Sequence, residues 1–189
     1  MRARDARVVA CPLVRGAGGG RDADQLRHPQ RRATATQADG GLIELDLPAN
    51  TPRECPVDPA VVDAVGVAPV RTGGTANRWT ILEVATEAEV LATRPRFDAG
   101  ASWSAIVTAR AGDGIVCRVF VPGAGIPEDP ATGAAQCVLA PWWVPRLGGD
   151  RYVARQLSAR GAVLHVLLDG DRVKVGGHAV TTLRGELVA

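Results

Sequence analysis

The sequence has no apolar run approaching the roughly 20 residues that a membrane-spanning helix requires. Its N-terminal stretch is dotted with arginines and lacks the apolar segment of a secretion signal. A Gly-x-Ser-x-Gly elbow for a serine nucleophile is absent too. The glycine-rich "GAGGGR" at 16–21 lacks the Lys-Ser/Thr pair of a phosphate-binding loop. These absences argue against nucleotide binding and nucleophilic catalysis, and they predict a cytoplasmic protein that does not enter a membrane.

Disulfide and metal-binding patterns are missing as well. The four cysteines lie far apart without Cys-x-x-Cys spacing, so neither a zinc site nor a disulfide framework is indicated. His165 and His178 fall in a predicted hairpin and after a Gly-Gly turn, without the paired ligands of a zinc motif. We therefore predict no metal site. The cysteines are interpreted as small buried thiols; they are Cys11, Cys55, Cys117 and Cys137.

Charge is unevenly distributed along the chain. Residues 1–40 hold eight arginines against four aspartates and contain neither Lys nor Glu, whereas the remainder carries 14 basic and 16 acidic residues. The N-terminal stretch shows no helical or strand periodicity. A basic arm for nucleic acid is one interpretation, but no aromatic residue is interleaved to stack on bases. We predict no nucleic-acid binding and expect residues 1–40 to be an irregular extension, poorly ordered or produced by a reading-frame or start-site error.

From residue 41 onward the pattern predicts regular structure. "LIELDLP" alternates apolar and acidic residues, as a strand with one buried face does. "DPAVVDAVG" supplies Asp58 as a helix cap, Pro59 at the first helical position and Gly66 at the end. "RTGG" at 71–74 is interpreted as a turn, and "TEAE" at 86–89 has the spacing of a capping box.

Strands outnumber helices in the second half of the sequence. The predicted strands are "WTILEVA", "SAIVTAR", "IVCRVFV", "RYVARQL" and a hairpin in "VLHVLLDGDRVKVGG" turned at Asp169-Gly170, with a closing segment "HAVTTLRGEL". One long helix, "ATGAAQCVLAPWW", interrupts them and is expected to end before Pro145. The fold class is therefore α+β, with a curved, mostly antiparallel sheet around a central helix.

Residues 125–137, "GIPEDPATGAAQC", place two acids and two prolines immediately before this helix. The first residues of the helix are small, which leaves their backbone N–H groups accessible to a ligand. A helix start carries unpaired donors and a partial positive charge, so it favours a carboxylate or another anion. Asp129 could supply a side chain to the same cleft. The alternative is that Asp129 or Thr132 simply caps the helix and that the small residues serve packing.

The segment "GIPEDPATGAA" resembles the Glu-Asp-Pro-x-Thr-Gly segment of the PhzF-type proteins, which are phenazine-biosynthesis-like isomerases. The closing strands and, more weakly, "GLIELDLPA" and "TGGT" are also similar, so the resemblance covers roughly residues 40–187. It implies a diaminopimelate-epimerase-like fold of two lobes, of which residues 41–189 would form the second. It also implies proton transfer on a small carboxylated substrate in the cleft between the lobes, without metal or cofactor.

The resemblance also implies roles for individual residues. Asp129 would be the second-lobe acid that hydrogen-bonds substrate and assists proton delivery. Thr132, Gly133 and Ala134 would bind substrate, with the N–H groups of Gly133 and Ala134 facing its carboxylate. The family usually has serine where this chain has Ala134, so one hydroxyl contact is missing.

Two other parts of the family pattern match poorly. Thr72 and Gly73 correspond only loosely to a substrate-side turn. The first-lobe segments Asn/Ser-Glu-Thr-Ala, which carries the catalytic Glu, and Gly-His-Pro-Thr are absent. Residues 1–40 would then be a remnant or mis-framed first lobe.

The sequence therefore predicts a PhzF-like isomerase of a small carboxylated metabolite, incomplete in this chain. The alternative is a non-catalytic half-domain that binds a small acid or a partner protein through the open cleft face. A homodimer that covers this face again is a further expectation.

Overall fold

A computed structural model describes residues 33–37, 41–76, 79–98 and 100–179. In these ranges the chain forms three α-helices and one eleven-stranded sheet. The strands are β1 (Thr34–Gln37), β2 (Leu42–Pro48), β3 (Arg53–Glu54), β4 (Arg71–Gly74), β5 (Trp79–Glu83), β6 (Ser104–Ala111), β7 (Gly114–Val121), β8 (Ile126–Asp129), β9 (Arg151–Gln156), β10 (Ala162–Asp169) and β11 (Arg172–His178). The helices are α1 (Pro59–Val65), α2 (Glu87–Ala92) and α3 (Gly133–Leu147).

The sheet is mixed. Its order is β1-β2-β11-β10-β9-β7-β6-β5-β4-β3, with β8 paired to β7 off this path. Two neighbouring pairs are parallel, β5 with β6 and β7 with β9. Parallel neighbours require a crossover connection, and α2 lies in the first of these connections and α3 in the second. A mixed sheet with few helices agrees with the predicted α+β class in its broad outline.

The two short helices begin and end where their capping signals lie. The Asp58 carboxylate accepts a hydrogen bond from the N–H of Ala60 at 2.9 Å, and α1 stops at Gly66, whose φ of 74° suits glycine. At the start of α2, Thr86 and Glu89 form a reciprocal capping box. These interactions are local in sequence, which is why the prediction of both helices is confirmed.

Helix α3 runs through two prolines, so the expectation that it ends before Pro145 is wrong. Pro141 has no N–H, and this frees the carbonyl of Cys137 one turn earlier from its helical hydrogen bond. The backbone N–H of Asn50 donates to that carbonyl at 2.9 Å. A tertiary contact therefore compensates for the missing helical bond, and the helix ends only at Gly148 with a φ of 84°.

Two apolar cores lie on opposite faces of the sheet, one under α3 and the other under α1 and α2. Successive residues of a strand point to opposite faces, so Ile81 packs toward α3 while Leu82 packs toward the short helices. The central strands β6 and β7 are buried on both faces, which explains their continuous apolar runs. Among the described residues, no helix is both long and apolar enough to cross a membrane.

Three further expectations differ from the structure. "RTGG" is not a turn, because residues 71–74 form β4 between β3 and β5. β1 lies within residues 1–40, where we expected irregular structure, because "TATQ" pairs with β2. The β10–β11 turn is one residue later than predicted, at Gly170-Asp171, since Asp169 pairs with Arg172. The rest of residues 1–40 and residues 180–189 lie outside the described ranges.

Candidate functional site

The segment between β8 and α3 carries the predicted site. Asp129 is the last residue of β8 and pairs with Val119 of β7, so a central strand fixes where it lies. Pro130 and Ala131 turn the chain, and Thr132 is the residue immediately before the first turn of α3. The structure thus brings Asp129, Thr132, Gly133 and Ala134 together, as a short sequence segment must.

Two side chains from the end of β9 hold this segment in place. The Gln156 side-chain oxygen accepts from the Thr132 N–H at 2.9 Å, while its Nε2 donates to the Asp129 carbonyl at 2.5 Å and to Thr132 Oγ1 at 3.2 Å. The Ser158 hydroxyl donates to the Pro130 carbonyl at 2.8 Å. Three of these four bonds go to backbone groups, those of Asp129, Pro130 and Thr132, so the turn is held mainly through its main chain.

The two adjacent acids have different environments. Glu128 forms a bidentate pair with Arg118, with two N–O distances of 2.8 Å, and Arg118 also donates to the carbonyl of Thr93 at 2.7 Å. Asp129 accepts one side-chain hydrogen bond, from the N–H of Ala131 at 3.3 Å, and the described residues supply no ion pair to it. Glu128 is thus structural, whereas Asp129 is half-buried and retains acceptor capacity for another group.

The start of α3 is open to a ligand. The Thr132 side chain makes no capping hydrogen bond to the helix, and the Asp129 carboxylate contacts Ala131, which precedes the helix. The side-chain capping that we considered as an alternative is therefore not what these two residues do. Ala134 is exposed, and a Cβ at Gly133 would find only Leu47 nearby, at 3.9 Å. First-turn N–H groups with a partial positive charge suit an anion here.

Thr72 and Gly73 lie elsewhere, in β4. The Thr72 hydroxyl donates to the Cys55 carbonyl at 2.8 Å, and Gly73 is buried against the ring of Trp142. Trp142 follows Gly133 by nine residues of helix, which corresponds to about 14 Å along the axis. The structure does not bring these two residues to the start of α3, and their role in substrate binding stays a prediction.

A packing role for Gly73 predicts a measurable loss of stability on substitution. A Cβ at this position would lie 2.6 Å from the Trp142 ring and 2.8 Å from the Arg53 carbonyl. We expect Gly73→Ala to lower the free energy of unfolding by about 1–3 kcal/mol in urea denaturation. Gly74→Ala is the matched control, because its nearest atoms lie at 3.4 and 3.8 Å. Equal stability of the two variants would contradict the packing role.

Sequence reasoning missed Gln156, although a signal for it exists. β9 alternates exposed and buried residues, which places Gln156 on the buried face with Tyr152 and Ala154. A glutamine on a buried face must find partners for its amide, and here these partners are the turn before α3. The buried Glu83 was missed as well; it accepts from Trp142 Nε1 at 2.7 Å and pairs with Arg146 at 2.8 Å.

The two buried cysteines that the structure describes do not add a nucleophile to this site. Burial raises the pKa of Cys117 to about 12 and that of Cys137 to about 11, so both thiols are protonated at neutral pH. The prediction of buried thiols is confirmed for these two residues. It is wrong for Cys55, which is exposed beside β3, and Cys11 lies outside the described residues.

The fold places the protein in a class of known structures. A putative phenazine biosynthesis protein from Clostridium difficile superposes with a TM-score of 0.70 at 30% identity, over 83% of this chain and 61% of that one. An Enterococcus faecalis PhzF-family structure gives the same values. A predicted epimerase of Pseudomonas aeruginosa, 22% identical with a TM-score of 0.52, shares the fold. The fold is thus that of the PhzF-family structures.

The chain belongs to the phenazine biosynthesis-like (PhzC-PhzF) family, whose model matches residues 33–185. An uncharacterized isomerase of Pseudomonas aeruginosa is 38% identical over 149 residues, which is 77% of this chain and 57% of the relative. Another from Halalkalibacterium halodurans is 35% identical over 157 residues, 79% of this chain and 58% of the relative. The chain spans less than two thirds of the length of either relative.

Proposed function

We propose that this chain supplies one lobe of an isomerase that moves a proton on a small carboxylated metabolite. Relatives that carry the name isomerase support the reaction class. The observation that carries the proposal is that Asp129 lies next to the open first turn of α3. The turn at residues 130–132, which is held by hydrogen bonds, connects the two. A carboxylate-binding helix start beside a half-buried acid suits acid/base chemistry on a carboxylic acid.

In this mechanism the N–H groups of Gly133 and Ala134 bind the substrate carboxylate, and Thr132 lines the same binding site. Asp129 hydrogen-bonds the substrate and assists delivery of the proton. A carboxylate of the first lobe removes the proton from one carbon and returns it at another, so no atom is gained or lost. The resemblance to the family supports a reaction without metal or cofactor.

The exposure of Ala134 at the start of α3 supports the first lobe as a cover for the site. A cavity of about 470 Å³ beside it is lined in part by Glu128, Pro130 and Ser158. We propose that the sheet curves around α3 as a diaminopimelate-epimerase-like lobe. In support, α3 contacts β9, β10, β11 and β2, and its tryptophans reach Glu83 of β5 and Thr108 of β6. A homodimer covering the open face and a cytoplasmic location remain part of the proposal.

A second candidate function is a half-domain that binds a small acid or a partner protein without catalysis. Residues 1–40 contain no Glu, so they do not supply the first-lobe base of the family. A proton-transfer site without its base loses about 10² to 10⁴-fold in rate. Ligand binding at the start of α3 without proton exchange would favour this candidate.

Two measurements on the full 189-residue chain separate these functions. Deuterium incorporation from heavy water into a panel of small unsaturated and amino carboxylic acids, followed by proton NMR, should occur for the isomerase, at a rate about 10² to 10⁴-fold below that of a two-lobed relative because the first-lobe base is missing. Titration with benzoate should shift the backbone amide signals of Gly133 and Ala134, whereas the neutral benzamide should not. Amide shifts without deuterium incorporation support the half-domain. The absence of both results would contradict the proposed site.

A further inference from the structure

Gln156 connects the two halves of the proposed site. It is the last residue of β9, and only 1% of its surface is exposed. Its side chain hydrogen-bonds the final residue of β8 and the residue before α3. The residue therefore lies where it can set the relative position of Asp129 and the helix start.

The amide of Gln156 is oriented by its partners. The Thr132 N–H requires an acceptor and the Asp129 carbonyl requires a donor, so the oxygen must face the first and the NH₂ group the second. A reversed amide would place donor against donor and acceptor against acceptor. A side chain that offers both a donor and an acceptor is needed here, and neither an apolar residue nor an ionised acid meets this requirement.

We infer that Gln156 is a positioning residue that fixes the Asp129 carboxylate relative to the first-turn N–H groups of α3. The inference rests on the proposed function of those groups, although the contacts that carry it exist without substrate. The hydrogen bond from Ser158 reaches only the Pro130 carbonyl and therefore does not connect the two sides of the turn. Gln156 is the side chain that holds both sides.

The first test uses the ligand-free chain. Gln156→Met has nearly the same shape but offers no hydrogen bond, and Gln136→Met is its matched control. Gln136 is equally buried in α3, and its partners are Cys117 and Tyr152 rather than the turn. We expect Gln156→Met to displace the amide signals of Asp129 and residues 131–134 and to speed their hydrogen exchange, while Gln136→Met leaves these signals near their original positions. Unchanged signals in Gln156→Met would overturn the inference.

The second test uses pH. In Gln156→Glu the neutral acid can donate to the Asp129 carbonyl and accept from Thr132, but the ionised form cannot donate. Burial and the neighbouring carbonyl raise the pKa of the introduced carboxyl above the ordinary Glu value. The native positions of the signals of Asp129 and residues 131–134 should therefore be present at low pH, be lost as pH rises through that pKa, and return on acidification. A passive packing role predicts no such reversal, and its absence would contradict the inference.

The third test relates the turn to binding. Benzoate affinity, measured from the Gly133 and Ala134 signals, should fall about tenfold in Gln156→Met and stay unchanged in Gln136→Met. Equal affinity in both variants would overturn the positioning role while the proposed function stands. If the unmodified chain does not bind benzoate, the proposed site fails instead, and the ligand-free and pH tests still decide the role of Gln156.

Discussion

Replacement of Asp129 by Asn should lower deuterium incorporation into the substrate by about 10² to 10⁴-fold, the usual contribution of a positioned acid or base. Asn keeps the shape of the side chain and an oxygen that can still accept the Ala131 N–H. The turn should therefore persist, while the acid that hydrogen-bonds the substrate and assists delivery of the proton is lost. The rate is measured by proton NMR in heavy water, and thermal unfolding should show a melting temperature close to that of the unmodified chain.

Glu128→Gln provides the matched control for this prediction. Glu128 precedes Asp129 but is bound to Arg118 through both of its oxygens. We expect this variant to lose stability, because Arg118 keeps its charge without the carboxylate that balances it, and to retain deuterium exchange in the molecules that remain folded. If Glu128→Gln abolished exchange and Asp129→Asn retained it, the assignment of the acid would be reversed.

The largest effect on stability is expected at Glu83. Its side chain is 9% exposed, pairs with Arg146 through both oxygens at 2.8 and 2.9 Å, and accepts from Trp142 Nε1 at 2.7 Å. Glu83→Ala leaves the indole N–H buried without an acceptor and Arg146 without its partner. Because the Arg146 side chain is 32% exposed and can reach water, we expect a loss of about 2–3 kcal/mol in the free energy of unfolding.

Two comparisons test the cause of this loss. Glu83→Gln keeps an acceptor for Trp142 but loses the charge, so its stability in urea denaturation should lie between those of the unmodified chain and Glu83→Ala. Glu54→Ala removes a carboxylate that pairs with Arg71 at the surface, and we expect little change. A loss in Glu54→Ala equal to that in Glu83→Ala would mean that burial is not the cause.

The parts of the fold that the sequence predicted correctly depend on neighbours along the chain. β2 has the predicted span "LIELDLP" because alternating apolar and acidic residues favour a strand, although Ile43 is exposed while Leu47 packs against the core under α3. α1 and α2 have the predicted starts because Asp58 and Thr86 bond to N–H groups two and three residues away. Such interactions are contained in a short window, so no knowledge of the rest of the chain is needed.

The predictions that were wrong concern parts of the fold that depend on residues far away in sequence. "RTGG" contains two glycines and reads as a turn, but pairing with β3 and β5 extends it into β4. α3 passes Pro141 because Asn50 provides a backbone donor to the carbonyl that the proline frees. Cys55 is of a residue type that is usually buried, but it follows the exposed two-residue strand β3 and is itself exposed. No local pattern encodes these contacts.

The sequence by itself determined the family segment from Glu128 to Ala134, the helix that follows it and the presence of an acid next to the helix start. Only the tertiary structure decided which acid is available. Arg118 and Gln156 approach this segment from 10 and 27 residues away, and they tie up Glu128 and fix the turn while leaving the Asp129 carboxylate with a single backbone partner. The physical reason is that hydrogen-bond partners across a sheet are set by strand order and register, which a single segment does not contain.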